Sequence, residues 1–211
     1  ISEGWLGGLW SGLAQSTSIT TLSITINNHS DMVEHWMGKL GSGLAQNTSI
    51  TALNITVNNY SETSEDWVDK MGSDLAKNTS ITTLRITVNN YSTISEHWMD
   101  RLGSGLAKNT SITTLSITVN NYTDMRGEWI GELGSCLTQN TSTLSITTNN
   151  YTDINEDSMG DLGACLAQGT SITTLSITVN NYGDMSRDWM GELGINLKES
   201  TSLTTDRKSV V

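Results

Sequence analysis

A unit of 31 residues recurs along the chain and restricts the possible folds more than any other feature of the sequence. The spacing is constant except for one interval of 29 residues. A fixed period of this size is typical of solenoids, in which each unit packs only on its neighbours. The units begin at Thr17, Thr48, Thr79, Thr110, Thr141, Thr170 and Thr201.

We therefore predict one elongated domain over residues 1–205, built from repeats and without a second domain. It comprises a partial unit, 1–16, and the full units 17–47, 48–78, 79–109, 110–140, 141–169 and 170–200.

Each unit divides into a strand half and a helical half. In the fourth full unit, apolar and hydroxyl side chains alternate from Leu115 to Val119, which predicts a half-buried strand. Trp129, Leu133 and Leu137 then follow at a spacing of four residues and form one stripe of a helix. The unit is therefore predicted to run strand, turn, helix, loop.

The strand half carries a recognisable pattern. The segment Ile112-x-x-Leu115-x-Ile117-x-x-Asn120 matches L-x-x-L-x-L-x-x-N, and the unit thus resembles those of leucine-rich-repeat proteins. The long helical half resembles the ribonuclease-inhibitor type, and the unit as a whole is similar to repeat regions of NOD-like receptors from marine invertebrates. This resemblance implies an α/β solenoid with parallel strands on the concave face and helices on the convex face.

The same resemblance implies a role for one asparagine in each unit. The side chains at this position are expected to bond to loop backbone between neighbouring coils. They are Asn27, Asn58, Asn89, Asn120, Asn149 and Asn180.

One unit, 141–169, departs from the pattern. It lacks two residues before Leu144, carries Thr148 where other units have Ile or Val, and carries Ser158 where they have Trp. Because replacing a buried tryptophan by a small residue costs about 3–5 kcal/mol, we predict that this coil is the least stable.

Both ends of the chain suggest that the natural array is longer. Residues 1–16 form the helical half of a unit without a strand or a polar cap, so we interpret the chain as a fragment. A further strand begins at Thr201, but residues 206–211 match no upstream unit. They equal the translation of a common sequencing adapter, and we interpret them as a sequence artefact.

The charge balance excludes some partners. The chain carries 22 acidic and 11 basic side chains, for a net charge of −11, which argues against nucleic acid. No apolar run is long enough to span a membrane. Many acidic residues lie at the predicted starts of helices, where they complement the helix dipole.

The two cysteines, Cys136 and Cys165, occupy one repeat position on adjacent predicted helices. Packed helices lie about 8–10 Å apart, and a disulfide requires Cα atoms within about 7 Å. We therefore predict free thiols, which favour the cytoplasm over an extracellular location.

The sequence predicts no enzyme, cofactor or metal site. His29, His35 and His97 do not recur as a set, and no nucleophile, base and orienting residue recur together. Gly41 and Gly43 lie within a helical pattern and do not form a phosphate-binding loop.

The outward side of the predicted strands is the candidate binding surface. It carries small hydroxyl residues, and Asn54 and Arg85 interrupt the serine row. Binding energy usually concentrates in larger side chains, so these two residues are the distinctive ones. The predicted ligand-binding residues are Thr21, Ser23, Thr25, Asn54, Thr56, Thr83, Arg85, Thr87, Thr114, Ser116, Thr118, Thr174, Ser176 and Thr178.

Two further ladders consist of N-x-[ST] sequences, which accept glycans in secreted proteins. They are Asn28, Asn59, Asn90, Asn121 and Asn150, and Asn47, Asn78, Asn109 and Asn140.

Three functions agree with these features. We predict a non-enzymatic protein-recognition or scaffold module, part of a larger receptor-like protein of the innate-immune type, with a protein ligand. The alternative is a secreted, N-glycosylated structural or adhesive protein that can self-associate end to end into fibres. The third is binding of ice or another ordered surface by the hydroxyl grid.

Overall fold

The structure is a computed structural model that describes residues 3–29, 33–61, 66–92, 98–123, 131–132, 141–151, 156–168, 171–182, 191, 193–195 and 205–210. The strands are β1 (Thr21–Asn28), β2 (Ala52–Asn59), β3 (Thr83–Asn90), β4 (Thr114–Asn121), β5 (Thr143–Asn150), β6 (Thr174–Asn181) and β7 (Thr205–Val210). The helices are α1 (Glu3–Gln15), α2 (Val33–Gln46), α3 (Asp66–Leu75), α4 (Trp98–Leu106) and α5 (Glu156–Gln168).

The seven strands form one parallel sheet in chain order, β1 to β7. Equivalent residues of successive units pair with each other, as Leu22 pairs with Leu53 and Leu53 with Leu84. Between β4 and β5 the register follows the shorter unit, so that Leu115 pairs with Leu144. Parallel strands alternate with helices in a repeating arrangement, which confirms the predicted α/β solenoid.

The core is a ribbon between the sheet and the helices. Alternate strand residues such as Leu53 and Ile55 are at most 1% exposed, while their neighbours along β2 are half-buried. Leu40 and Leu44 of α2 cover them from the helical side and are fully buried. Burying each such side chain contributes about 1.5–3 kcal/mol. The alternation of apolar residues along the strands and their spacing of four along the helices place two apolar layers against each other.

Small residues let consecutive helices approach closely. A Cβ built on Gly105 in α4 would lie 2.3 Å from the carbonyl carbon of Gly72 in α3. A Cβ on Gly43 in α2 would likewise lie 2.9 Å from the backbone oxygen of Trp10 in α1. The backbones therefore meet at these glycines, and a β-carbon at Gly105 has no room.

Asp74 occupies the repeat position of Gly43 and Gly105 but carries a charge. Its side chain is 3% exposed and fills the space over Gly41, where an added Cβ would lie 2.8 Å from its Oδ2. Lys77 Nζ lies 3.1 Å from its Oδ1, and Lys70 also pairs with it. Lys70 lies one turn before Asp74 in α3 and Lys77 lies just after the helix ends, so the buried carboxylate is paired with two cations of its own unit.

The irregular unit, 141–169, keeps its strand in register, but threonines occupy two of its apolar core positions. The amides of Ser142 and Thr143 both donate to Thr113 O at 3.0 Å, so Thr141 takes the core position of Ile112 and is 5% exposed. Thr148 is 1% exposed, and its Oγ1 has no hydrogen-bond partner in the part of the chain that is described. Ser158 has no described side chain, and the lower stability of this coil stays a prediction.

Several other expectations lie partly outside the described residues. Of the tryptophans at the repeated helical position, Trp98 is described and is buried. Cys165 is half-buried, whereas Cys136 lies outside the described residues, so the prediction of unpaired thiols is untested. Within the described residues, no helix is long and apolar enough to cross a membrane.

Residues 205–210 form β7, which pairs with β6 in the register of the regular repeat, Thr174 opposite Thr205. The sequence pattern predicts that residues 206–211 form a tail outside the repeats. Their origin as a sequence artefact stays a prediction.

The prediction that Asn120 and the equivalent asparagines of the other units bond to loop backbone is wrong. They face outward and bond to one another's side chains, as Asn58 Nδ2 does to Asn27 Oδ1 at 2.7 Å. Loop backbone is instead bonded by asparagines such as Asn78, whose Nδ2 donates to Leu44 O and Asn47 O. The reason is the pleat of the strand, which turns the side chains at the Asn27 position away from the loops.

Candidate recognition surface

The outward side chains of β1 to β6 form one continuous surface, here called the open face. The strand register arranges them in three hydroxyl-rich rows and one amide row across the strands. All fourteen residues predicted to bind a ligand lie on this face. The rows run through Thr21, Thr83, Thr114 and Thr174; through Ser23, Asn54, Arg85, Ser116 and Ser176; and through Thr25, Thr56, Thr87, Thr118 and Thr178.

Arg85 is the one charged side chain on the open face of β1 to β6. It is exposed, and its guanidinium has no hydrogen bond or ion pair to another described residue. Asn54 precedes it in the same row and donates from Nδ2 to Ser23 Oγ at 3.0 Å. The face thus presents one unpaired cation in a neutral, polar field, on a chain whose net charge is −11.

The hydroxyl groups around Arg85 are available to a ligand. None of the open-face threonine hydroxyls has a hydrogen-bond partner among the residues that the structure describes. A hydroxyl both donates and accepts, so the face can meet either kind of polar group. That this grid binds ice stays a prediction, which the shape of ice crystals grown in dilute protein would test.

The amide row of the open face, here called the outer amide row, lies along one edge of that face. Asn58 donates to Asn27, Asn89 to Asn58 and Asn120 to Asn89, with distances of 2.7, 2.6 and 2.5 Å. The row continues through Asn149 and Asn180. Each amide donates to the preceding coil, so the row ties each strand to its neighbour.

An aromatic row follows the outer amide row, and its place in the site was missed from the sequence. Successive ring centroids lie 4.6–4.9 Å apart, and the ring planes are inclined by 2–20°. The tyrosines are 43–66% exposed. The row consists of His29, Tyr60, Tyr91, Tyr122, Tyr151 and Tyr182.

The spacing of the sheet explains this stack. Neighbouring strands lie about 4.8 Å apart, which is close to the distance between stacked rings. The repeat of one aromatic residue after each pair of asparagines was the signal for it. Loss of water around the ring raises the pKa of Tyr122, and the charges of Tyr91 and Tyr151 raise it further.

The first predicted glycan ladder forms a buried amide row. Asn28 Nδ2 donates to Asn59 Oδ1 at 2.8 Å, and Asn59 donates in turn to Asn90 at 3.1 Å. The row continues through Asn121 and Asn150, and all five side chains are at most 4% exposed. The nitrogen that would carry a glycan is therefore enclosed and already donates a hydrogen bond.

The second predicted glycan ladder holds the loops. Asn47, Asn78 and Asn109 are at most 2% exposed and donate to carbonyls of the preceding coil at 2.7–3.0 Å. Asn140 lies outside the described residues, and glycosylation of either ladder stays a prediction.

The histidines and the acidic residues bear on the predicted absence of a metal site. His29 stacks on Tyr60, and the side chains of His35 and His97 lie outside the described residues. Among the residues with described placement, no three of His, Cys, Asp and Glu are arranged to hold a metal ion.

Comparison with known proteins gives a likeness of fold only. No family model matches the chain, and no curated protein matches it. Among solved structures, the tropomodulin C-terminal domain from Caenorhabditis elegans is similar at 10% identity and a TM-score of 0.48, over 92% of each chain. The sheet register and the repeat pattern define the class of the protein, a leucine-rich-repeat-like α/β solenoid.

Proposed function

We propose that this chain is a non-enzymatic protein-recognition and scaffold module that binds its partner through the open face. The observation that carries the proposal is Arg85, an exposed guanidinium without an ion pair to another described residue, on a surface that otherwise carries mainly hydroxyl and amide groups.

Physical chemistry favours Arg85 as the anchor. A guanidinium offers five N–H donors in a planar fork that matches a carboxylate, and arginine is enriched among residues that dominate binding energy. The small side chains around it leave room for a partner side chain to reach it. The partner is therefore a protein that presents an aspartate or glutamate, with polar groups that meet the hydroxyl rows.

The test is selection of binders from a peptide display library against the folded protein, followed by affinity measurement on variants. Arg85→Glu should weaken carboxylate-bearing binders by about 2 kcal/mol or more, roughly 30-fold in Kd. Lys108→Glu is the matched control, because Lys108 is an exposed cation after α4 and lies off the open face. Equal affinities for the wild type and Arg85→Glu would reject the open-face site.

We further propose that the module belongs to a longer array of the NOD-like-receptor type. The β1 end of the sheet supports this: Leu9 is 47% and Ile19 38% exposed, whereas the equivalent Leu40 and Ile50 are fully buried. Asn28 Oδ1 is buried there without a partner among the described residues. In the later coils, the described residues equivalent to Leu9 and Ile19 are covered by the preceding coil.

A fusion tests the longer array. A second copy of residues 17–31, placed directly before Ile1, supplies the strand of the partial unit 1–16. We expect it to raise the free energy of unfolding, and to raise it less when the appended copy has alanine in place of the asparagine equivalent to Asn28. No gain over a scrambled extension would contradict the proposal.

We favour recognition over the glycan-coated alternative because both sequon ladders use their amide nitrogens within the fold. Expression through a secretory pathway tests this choice. An intact mass that glycosidase treatment leaves unchanged agrees with our proposal, whereas a folded protein carrying several glycans would support the extracellular alternative.

A further inference from the structure

All five tyrosines of the chain lie in the aromatic row. Each stacks on the next at centroid distances of 4.6–4.9 Å, although neighbours are separated by 29 or 31 residues in sequence. Phenols that are distant in sequence are therefore held in contact by the sheet, and none of them is needed to fill the core.

The row is also open to solvent. Tyr60, Tyr91, Tyr122 and Tyr151 are 43–45% exposed and Tyr182 is 66% exposed, so their ring edges are accessible to a large reagent. The ring faces are covered by the neighbouring rings, which disfavours stacking of a flat ligand between them. The chemistry left to the exposed edges is that of the phenol oxygen and its ortho carbons.

We propose that the aromatic row is a site of oxidative tyrosine coupling, in which a peroxidase-type oxidant with hydrogen peroxide joins neighbouring coils through dityrosine bonds. Two adjacent phenols each lose one electron and one proton to give two phenoxyl radicals. A carbon–carbon bond forms between their ortho carbons. Each ortho carbon then loses its hydrogen as a proton, and the phenol oxygen of the same ring is protonated.

The reaction balances with the named oxidant. Two phenols and one hydrogen peroxide give one dityrosine and two waters, so the peroxide accepts both electrons and both protons. Stacking converts the coupling of two radicals into an intramolecular step, because the second ring is already beside the first. The product is a covalent clamp between consecutive coils, which otherwise hold together by packing and hydrogen bonds.

Two matched double variants test the proposal. Tyr91→Phe with Tyr151→Phe leaves three tyrosines, no two of them adjacent in the row. Tyr60→Phe with Tyr182→Phe also leaves three tyrosines, but Tyr91, Tyr122 and Tyr151 remain consecutive. Both preserve the rings and hence the stack, and circular dichroism confirms that each variant is folded.

Each folded variant is treated at low protein concentration with a peroxidase and hydrogen peroxide, and crosslinked peptides are identified by mass spectrometry. We expect monomers that have lost two hydrogen atoms per crosslink in the wild type and in the variant with consecutive tyrosines. The variant with separated tyrosines should lose intramolecular coupling, down to the yield of the denatured chain. Equal yields in the two variants, or crosslinks only between different molecules, would overturn the proposal.

Discussion

Gly72 and Gly105 bring the backbones of α3 and α4 into direct contact, since a Cβ added to Gly105 would lie 2.3 Å from the Gly72 carbonyl carbon. A contact of this kind can relax only by separating the two helices, because the nearest atoms belong to the backbone.

Gly105→Ala should therefore lower the free energy of unfolding by about 1–3 kcal/mol, as overpacking of a close contact usually does. Gly12→Ala is the matched control. Gly12 occupies the same repeat position in α1, but an added Cβ meets nothing within 4 Å. There alanine should stabilise the helix by about 0.5–1 kcal/mol. Urea denaturation measures both, and equal effects at the two positions would refute the close helix contact.

Thr148→Val should stabilise the irregular coil by about 1 kcal/mol, because it removes a buried hydroxyl without a partner among the described residues. Valine also matches Val119 and Val179, which pair with Thr148 on either side. Thr147→Val, on the open face, should change the stability by less than about 0.5 kcal/mol. A Thr148→Val protein that melts below the wild type would show that the hydroxyl is bonded.

Asn78→Ala should cost about 3 kcal/mol or more. Its Nδ2 donates to Leu44 O and Asn47 O, and its Oδ1 accepts from the amides of Ser80 and Ile81 at 2.8–2.9 Å. Alanine leaves these buried groups unsatisfied, at about 1–3 kcal/mol each.

The control for this substitution is Asn89→Ala in the outer amide row. Its partners, Asn58 and Asn120, are side chains at the border of the open face. Water can replace some of these bonds, so the loss should stay below about 1.5 kcal/mol. Thermal unfolding compares the two variants, and a larger loss for Asn89→Ala would contradict the role given to Asn78.

The aromatic row predicts a decrease in stability at alkaline pH. The pKa of folded Tyr122 is raised above the ordinary tyrosine value of 10.0 because partial loss of water around the ring disfavours the phenolate. The folded chain then holds this proton more tightly than the unfolded chain. The stabilising contribution is complete below pH about 10 and is lost as the pH rises through the folded-state pKa.

Phenolate absorbance measures this shift. A variant in which Tyr122 is the sole tyrosine loses the charges of Tyr91 and Tyr151, so its pKa should fall but stay above that of free tyrosine. Replacement of the other four by phenylalanine keeps the stack. A midpoint equal to that of free tyrosine would show that burial does not act on Tyr122.

The strands and their register could be predicted from the sequence because two regularities agree. Alternation from Leu53 to Val57 fixes which side of β2 is buried, and the constant spacing of the units fixes which residues pair. The same alternation also places Asn27 outward and Asn28 inward. The family pattern suggested loop bonds for Asn27, although the pleat already excluded them.

Other features depend on distances that no local pattern contains. The close approach of Gly72 and Gly105 follows from how the helices cross, and the sequence shows only that both residues are small. Asp74 looks like a surface acid by composition, but its repeat position places it over Gly41 in the helix contact. The open face was predicted from alternation alone, and its ligand remains a proposal.

The two amide rows of the sheet donate in opposite directions. Asn28 donates to the following coil, whereas Asn58 donates to the preceding one. A coil that carries both asparagines therefore presents one amide donor and one amide acceptor to the coil on either side. The 29-residue spacing between Asn121 and Asn150 preserves both rows, because the missing residues precede the strand. Duplication or loss of a whole unit consequently leaves both amide rows continuous, so the number of coils can change without redesign of these bonds in the sheet.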